Sequence, residues 1–425
     1  MTNRSPETNI LYRIDSISAS YAELVSISNS SDKAVMNKMS EERLVIGLTG
    51  SFGSGCGEVS EYLIKKGFEK FSLTKRIKEE AEKREIPNPT RRDMQNIGDD
   101  LRKEHGNAFL AKEVIKEIGD VLKHKIVVKS IRNNYEVEEF RNTFHNDFIL
   151  FNIDADRETR YSRCKEKEKY TSRIDFDYED ARDSGEDQPD YGQQVRKCVD
   201  SADVVINNLG SIEELQEKVD RYLKLIANPG SERAEPHEIN MKMAFDQTRH
   251  SLCLKRGIGA VITDNGRVIA SGYNGTPEKV ASCISLNSCY KDHAKECEVV
   301  DCRTPFQAIL RVCVKCGRPI EQKRVAQLEK NLDLCRGVHG EERAILQIAI
   351  KGGQTLKDTT LYTTTFPCLL CAKQIIEVGI SDVWYVEPYP FTEAYKILRD
   401  AKVKLHKFEG VKSSTALDRL YPRRT

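Results

Sequence analysis

The chain has 425 residues, of which 39% are hydrophobic and 31% are charged, so we expect a globular protein with two or three domains. Its net charge of +1 argues against a general nucleic-acid coat. No apolar run approaches the roughly 20 residues that span a bilayer, and no apolar signal segment follows Arg4, so we expect no membrane partner. Most of the 13 cysteines lie between Cys253 and Cys371, which favours zinc binding in the cytoplasm over a disulfide framework.

The first part of the chain predicts an extension followed by an α/β domain over 41–226. Residues 1–40 are rich in Ser, Asn and Thr, which is typical of a flexible extension. After them, short apolar strands alternate with helical patterns, which predicts a mostly parallel sheet. The predicted strands are 43–49, 126–129, 148–153 and 203–206, and the predicted helices are 57–67, 74–85, 91–104 and 107–122.

A glycine-rich segment follows the first predicted strand and precedes the first predicted helix, which is the context of a phosphate-binding loop. Glycines let backbone N–H groups approach phosphate oxygens, and a helix start adds a favourable dipole. A glycine turn without a ligand is the alternative. The candidate nucleotide-binding residues are Gly50, Gly53, Ser54, Gly55, Cys56 and Gly57.

Two chemical groups of a complete phosphate-binding loop are missing from this segment. Cys56 stands where the motif has a lysine, and Gly57 stands where it has a serine or threonine that binds magnesium. Phosphoryl transfer depends on both groups. We therefore expect a sensing or regulatory domain rather than a kinase.

The rest of 43–226 resembles the deoxynucleoside monophosphate kinase and dephospho-coenzyme A kinase group. The resemblance implies a P-loop kinase-like fold with a nucleotide effector. The segments that carry it are Phe71–Leu73, Thr90–Arg92 with Gln95, Ser130–Asn133, and Ala202–Ile206 with Asn208.

Segment 227–236 interrupts both periodicity and composition, so we predict a linker there and a second domain over 237–425. A helix is predicted near 237–250, and the turn Asp264-Asn-Gly266 predicts a hairpin. Its two strands and the later elements are predicted as strands 259–263 and 267–272, a helix from His339 to about 351, strand 359–364, a helix from Cys368 and strand 382–386.

The motif His339-Gly340-Glu341, followed by Pro367-Cys368-Leu-Leu-Cys371, is the most informative part of the chain. One imidazole and two thiolates suit a tetrahedral zinc that keeps its fourth position for water, and bound zinc lowers the pKa of that water to about 7. Glu341 then carries protons without binding the metal. A structural zinc site is the alternative, but such sites use four protein ligands. This order of residues is the zinc deaminase signature.

The second domain resembles the deoxycytidylate deaminase family in segments 251–260, 272–277 and 335–339. The resemblance implies a mixed α/β/α sheet and a substrate contact from Asn274. Spacing alone favours an ordinary Asn-Gly turn at this position, whereas the surrounding motif favours the substrate contact. Arg256 and Tyr385 are candidate contacts to the substrate phosphate; a surface charge and a core aromatic are the alternatives. Family members often carry a second, structural zinc, for which Cys313-Val-Lys-Cys316 is the best pair here; an insertion with free thiols is the alternative.

Taken as a whole, the chain resembles bacterial antiviral cytidine deaminases, which deplete cytosine deoxynucleotides during phage infection. The resemblance implies dCTP and dCMP as substrates, zinc as cofactor, regulation by a small RNA, and, from the deoxycytidylate deaminases, a hexamer. Two alternatives remain open: a housekeeping dCMP deaminase that supplies dUMP, and a nucleotide- or RNA-binding regulator with a vestigial deaminase site.

Overall fold

The computed structural model describes residues 43–119, 124–166, 172–185, 188–287, 289, 335–352, 354–387 and 392–422. Two predictions therefore lie outside the described residues: the N-terminal extension and the pair Cys313 and Cys316. Among the residues that are described, no helix combines the length and apolar character needed to cross a bilayer.

The first sheet contains five parallel strands with the first strand of the chain at its centre, and their spatial order is β5-β4-β1-β3-β2. Val45–Thr49 are fully buried, as expected for a parallel sheet that is covered on both faces. The mostly parallel sheet predicted from the sequence is confirmed. Its strands are β1 (Leu44–Thr49), β2 (Glu69–Ser72), β3 (Lys125–Lys129), β4 (Phe148–Asp154) and β5 (Val204–Asn207).

Helices cover both faces of this sheet and enclose two separate apolar clusters, one centred on Phe140 and the other on Phe151. Several helices begin with reciprocal side-chain caps, such as Ser211 with Glu214, which satisfy the first free backbone N–H groups. The helices are α1 (Cys56–Lys65), α2 (Thr74–Lys83), α3 (Arg91–His105), α4 (Phe109–Gly119), α5 (Asn134–Phe144), α6 (Arg157–Glu166), α7 (Arg173–Ser184), α8 (Val195–Ser201) and α9 (Ile212–Ala227).

The second sheet is mixed, and its strands lie in the order β10-β9-β8-β6-β7. The hairpin strands β6 and β7 are antiparallel, as the Asn-Gly turn predicts, whereas β8, β9 and β10 run parallel to one another. Its elements are α10 (Pro236–Gln247), β6 (Gly259–Asp264), β7 (Arg267–Tyr273), α11 (Gly340–Lys351), β8 (Thr360–Thr365), α12 (Leu369–Glu377), β9 (Asp382–Glu387), α13 (Thr392–Asp400) and β10 (Lys404–Lys407).

Helix α11 lies against β7 at a distance that only glycine permits. A Cβ atom on Gly272 would stand 2.2 Å from the carbonyl oxygen of Gly340, which is far shorter than any real contact. The helix start that carries the zinc motif is therefore held directly against the strand that leads into residues 274–276, which we call the Asn274 loop.

After the second sheet, the chain returns to the first one. The short strand β11 (Gly410–Val411) pairs antiparallel with β5, and α14 (Ser414–Leu420) packs beside α9. Leu420 is fully buried in the same apolar cluster as Val219 and Leu225. The sequence analysis did not predict these two elements, strands β2 and β10, or helices α5 to α9 and α13. The missed strands have only two to four residues each and little periodicity.

We predict that Leu420→Ala destabilises the first sheet, because the substitution leaves a cavity in its core. The expected loss in the free energy of unfolding is about 2–5 kcal/mol, measured by chemical denaturation. Leu209→Ala is the matched control, since Leu209 is 49% exposed. Equal losses in the two variants would show that the C-terminal helix does not belong to this core.

Candidate zinc and proton-transfer site

His339 directly precedes helix α11, so its side chain stands at the helix start. Its backbone N–H donates to the carboxylate of Glu342 at 3.3 Å, which closes the first turn of the helix. The chain before His339 is held by a two-way backbone pairing between Val338 and Gly275. The imidazole is therefore fixed between the helix and the Asn274 loop.

Cys368 directly precedes α12, and Cys371 lies in the first turn of that helix. This is the position that the spacing of two thiols three residues apart predicts. The positive end of the helix dipole favours thiolates here. Both side chains are buried, at 5% and 1% exposure.

These three side chains converge on one point. The Nδ1 atom of His339 lies 3.2 Å from Cys368 Sγ and 3.3 Å from Cys371 Sγ. Zn–N and Zn–S bonds of about 2.1 and 2.3 Å in a tetrahedron place N and S about 3.6 Å apart, so the donor set fits zinc. Within the part of the chain that the structure describes, this is the only cluster of three or more possible metal ligands.

Hydrogen bonds within the cluster couple the pKa values of His339, Cys368 and Cys371. A hydrogen bond to Cys371 is the main cause that lowers the pKa of Cys368, and the reciprocal hydrogen bond raises the pKa of Cys371. The hydrogen bond to Cys368 raises the pKa of His339. Metal binding requires thiolates and a neutral imidazole, so it would release these protons.

Glu341 lies beside the cluster without belonging to it. The carboxyl is 3% exposed, with Oε2 3.7 Å from Cys371 Sγ and Oε1 3.2 Å from the hydroxyl of Thr363. Burial raises the pKa of Glu341, which suits a group that accepts and returns protons near neutral pH. The sequence analysis missed Thr363, which shares its hydrogen between Glu341 and the carbonyl of Thr365 at 3.0 Å.

The Asn274 side chain is bonded into the protein on three sides. Its Oδ1 accepts from the backbone N–H of Ile258 at 2.7 Å and from the hydroxyl of Ser251 at 2.8 Å, and its Nδ2 donates to the carbonyl of Arg256 at 2.8 Å. Among the described residues, this carbonyl is the acceptor for one of the two Nδ2 hydrogens, and the second hydrogen is available to a further acceptor. The substrate contact of Asn274 therefore stays a prediction, while its role in tying the loop to segment 251–258 is visible.

Arg343, which the sequence analysis missed, holds the same loop from the zinc helix. It lies one turn after His339, and its guanidinium donates to the carbonyls of Tyr273, Gly275 and Thr276 at 2.9–3.1 Å. A helical position four residues after a ligand faces the same side, which is the signal that could have identified it.

The two remaining candidate substrate residues lie in packed surroundings. The Arg256 side chain is 12% exposed and pairs with Glu387 and Asp200, although its Nε and Nη1 atoms have no hydrogen-bond partner among the described residues. Tyr385 packs edge-on against Phe366, and burial raises its pKa to about 12. Their contacts to a substrate phosphate stay predictions.

The glycine-rich loop lines a cavity of about 890 Å³ at the carboxyl end of β1, where the strand order of the first sheet reverses. All six candidate residues from Gly50 to Gly57 line it. The Cys56 thiol donates to the carbonyl of Thr49 at 3.3 Å, and burial raises its pKa, so it supplies no charge to the cavity.

Cations from other elements surround this cavity, and the sequence analysis did not identify them. Lys129 at the end of β3, Arg132 after it, and Arg163 on α6 all line the space. Arg132 also pairs with Asp183 at 2.6 Å, which fixes its position. Positive charge is therefore present in spite of the missing lysine of the loop.

The fold and the site together define a class: an α/β protein with three converging side chains that could hold a metal ion and a buried carboxyl beside them. Residues 234–387 match the cytidine and deoxycytidylate deaminase zinc-binding region. The chain is 31% identical to the deoxycytidylate deaminase of Enterobacteria phage T4 over 156 residues, which are 35% of this chain and 76% of the phage protein. Through this part, the chain belongs to the deoxycytidylate deaminase family.

The remainder of the chain has relatives of a different kind. Over 186 residues it is 31% identical to a UPF0200 protein of Pyrococcus abyssi, covering 43% of this chain and 97% of that protein, so the N-terminal part belongs to the UPF0200 family.

The deoxycytidylate deaminase of Saccharomyces cerevisiae is 31% identical over 169 residues, and the chain spans 43% of its length.

We predict that Cys368→Ser lowers zinc content, because it replaces a thiolate ligand with a hydroxyl. Loss of even an outer-shell partner weakens metal affinity about 10–100-fold, so loss of a ligand is expected to weaken it at least as much. The measurement is metal analysis of purified protein, with Cys253→Ser as the control for thiol loss outside the site. Equal zinc content in the two variants would contradict the assignment.

Proposed function

We propose that this chain hydrolyses free cytosine deoxynucleotides, dCMP and dCTP, to the corresponding uracil nucleotides and ammonia. The observation that carries the proposal is the buried Glu341 carboxyl beside a three-donor metal cluster. Deamination of cytosine needs both an activated water and a group that moves protons. The printed names of the relatives, deoxycytidylate deaminases, support the same chemistry.

The residues present divide the chemistry between them. His339, Cys368 and Cys371 would hold zinc, which when bound acts as a Lewis acid that makes water nucleophilic at neutral pH. Glu341 accepts a proton from the water as the water oxygen bonds to C4 of cytosine, and returns that proton to N3. It then takes the remaining proton from the hydroxyl on C4 and delivers it to the amino group. The C4–N4 bond breaks, ammonia leaves, and the oxygen on C4 becomes the carbonyl of uracil.

The protein also shapes the environment of the proton carrier. Thr363 holds Oε1 of Glu341 at 3.2 Å, which leaves Oε2 on the side of Cys371. A fixed carboxyl of this kind has its proton-transfer geometry before substrate binds. Asn274, whose second Nδ2 hydrogen has no acceptor among the described residues, remains our candidate contact to the nucleotide.

We predict that Glu341→Gln lowers kcat for dCMP by about 10²–10⁴-fold, since it removes general acid–base catalysis and preserves volume. Ammonia release from dCMP and dCTP measures the effect. Zinc content should stay that of wild type, because Glu341 is not a ligand.

Glu377→Gln is the matched control: it makes the same change on α12, at an exposed position. It should retain wild-type kcat. Full activity in Glu341→Gln would overturn the proton-transfer role, and no ammonia release from any cytosine nucleotide by the wild type would overturn the proposed function.

The cavity of the first sheet is proposed to bind a nucleotide or phosphate effector and to regulate the deaminase, without phosphoryl transfer. Loop glycines and the cations Lys129, Arg132 and Arg163 support anion binding. The absence of the loop's lysine and of its serine or threonine argues against kinase chemistry.

We predict that Gly55→Ala weakens binding of ATP or inorganic phosphate by about tenfold or more, the equivalent of about 1.4 kcal/mol. Gly55 has φ +110°, and an added Cβ would lie 2.2 Å from Asn208 Nδ2, so the loop must shift. Equilibrium binding with each probe measures the change. Gly119→Ala is the control, because that glycine has open space around it and lies outside the cavity; equal affinities would contradict a ligand site at the loop.

Depletion of cytosine deoxynucleotides during phage infection is the proposed biological use, with a homo-oligomer and a restraining small RNA as further elements of the proposal. Comparison of phage plaque counts on cells that express wild type or Glu341→Gln tests this use. A housekeeping enzyme would leave plaque counts equal while changing dUMP supply.

A further inference from the structure

A buried ionic cluster joins the two sheets close to the deaminase site. Arg256 precedes β6, Glu387 ends β9, and Asp200 lies on α8 of the first domain. Arg256 Nη2 lies 2.5 Å from Glu387 Oε2 and 3.5 Å from Asp200 Oδ1, while Arg196 Nε reaches the same Glu387 oxygen at 3.1 Å.

The central pair of this cluster, Arg256 and Glu387, is largely shielded from water, so its stability depends on the position of each charged partner. The side chains of Arg256 and Glu387 are 12% and 11% exposed, and Asp200 is 34% exposed. Removing one partner of a buried pair leaves an uncompensated charge, so the remaining groups move or take up water. Asp200 is the acidic member whose substitution disturbs folding least, because it is 34% exposed and Glu387 is 11% exposed.

The backbone of Arg256 connects the cluster to the Asn274 loop. Its carbonyl accepts the hydrogen bond from Asn274 Nδ2 at 2.8 Å, and Ile258 exchanges two hydrogen bonds with Asn274, at 2.7 and 3.0 Å. A shift of the Arg256 side chain would therefore be transmitted to the loop. Arg343 holds the other side of that loop to the zinc helix.

Helix α8 is firmly held at both ends, so it is a rigid support for Asp200. At its start, Gln194 N–H donates to the carbonyl of Arg132 at 2.7 Å, beside the cavity of the first sheet. At its end, Lys412 Nζ donates to the carbonyls of Val199 and Asp200 at 2.6 and 2.8 Å. A lysine at this end also complements the helix dipole.

We propose that Asp200, a residue of the N-terminal domain, is a positioning residue for the deaminase site, which acts through Arg256 on the Asn274 loop. The functional part of this inference rests on the proposed deamination of cytosine nucleotides. The N-terminal domain thereby forms part of the working structure of the deaminase, and α8 connects the loop to the cavity of the first sheet.

The test is Asp200→Asn in the full-length chain, which removes the charge and preserves the shape. We expect KM for dCMP to rise about tenfold, or about 1.4 kcal/mol, with kcat and zinc content close to wild type. Asp200→Glu should restore a KM near that of wild type, since it restores the charge. Asp100→Asn is the matched control, because Asp100 forms an exposed pair with Arg84 at 2.7 Å in the same domain.

Hydrogen–deuterium exchange supplies a readout that needs no turnover. In Asp200→Asn, amides of segments 251–258 and 274–276 should exchange faster than in wild type, and in Asp100→Asn they should not. Unchanged exchange in Asp200→Asn overturns the inference, as does a fall in kcat and zinc content with unchanged KM. The two parts of the inference can fail separately. If the wild type releases no ammonia but Asp200→Asn still exchanges faster in these segments, the proposed function is refuted and the positioning role is supported.

Discussion

The meeting of two helix starts at one end of the second sheet is the constraint on which the rest of the structure depends. Helix α11 leads away from His339, and β8 leads back toward Cys368, so candidate ligands 29 residues apart in sequence come within 3.2 Å. Two helix starts present positive dipole ends to the thiols and the carboxyl. Glu341 lies beside this cluster of three side chains because it is in the first turn of α11, two residues after His339.

Glycine and charge determine how the loop around that point is held. Gly272 allows β7 to touch the start of α11, and Arg343 ties the loop carbonyls to the same helix. On the other side, Asn274 joins the loop to segment 251–258, whose Arg256 pairs across the junction with the first domain. The loop is thus supported by the zinc helix and by a buried ionic cluster, two attachments with different physical character.

In the first domain, the glycine-rich loop lacks the lysine of a phosphate-binding motif, but the cavity that the loop lines still contains positive charge. Cys56 is neutral and turned to a backbone carbonyl, yet three cations from β3, the segment after it and α6 line the same cavity. The chain that passes through the second sheet then returns as β11 and α14 to complete the first sheet. Because each domain contributes to the packing of the other, a conformational change in one domain alters packing contacts of the other.

The sequence alone predicted the candidate zinc ligands and the candidate proton carrier, and it determined the class of both sheets, because these depend on residue type at short spacing and on local periodicity. It also predicted most of the described strands and about half of the described α-helices; it missed α5 to α9, α13 and α14. The tertiary structure decided what local patterns do not contain: that Arg256 pairs with Asp200 and Glu387, that Thr363 and Arg343 serve the site, and that the C-terminal residues belong to the first core. These contacts join residues from 22 positions apart, as for Glu341 and Thr363, to 70 apart, as for Tyr273 and Arg343, and farther for Arg256 and Glu387. Tertiary packing within the second sheet and between the two sheets brings them together.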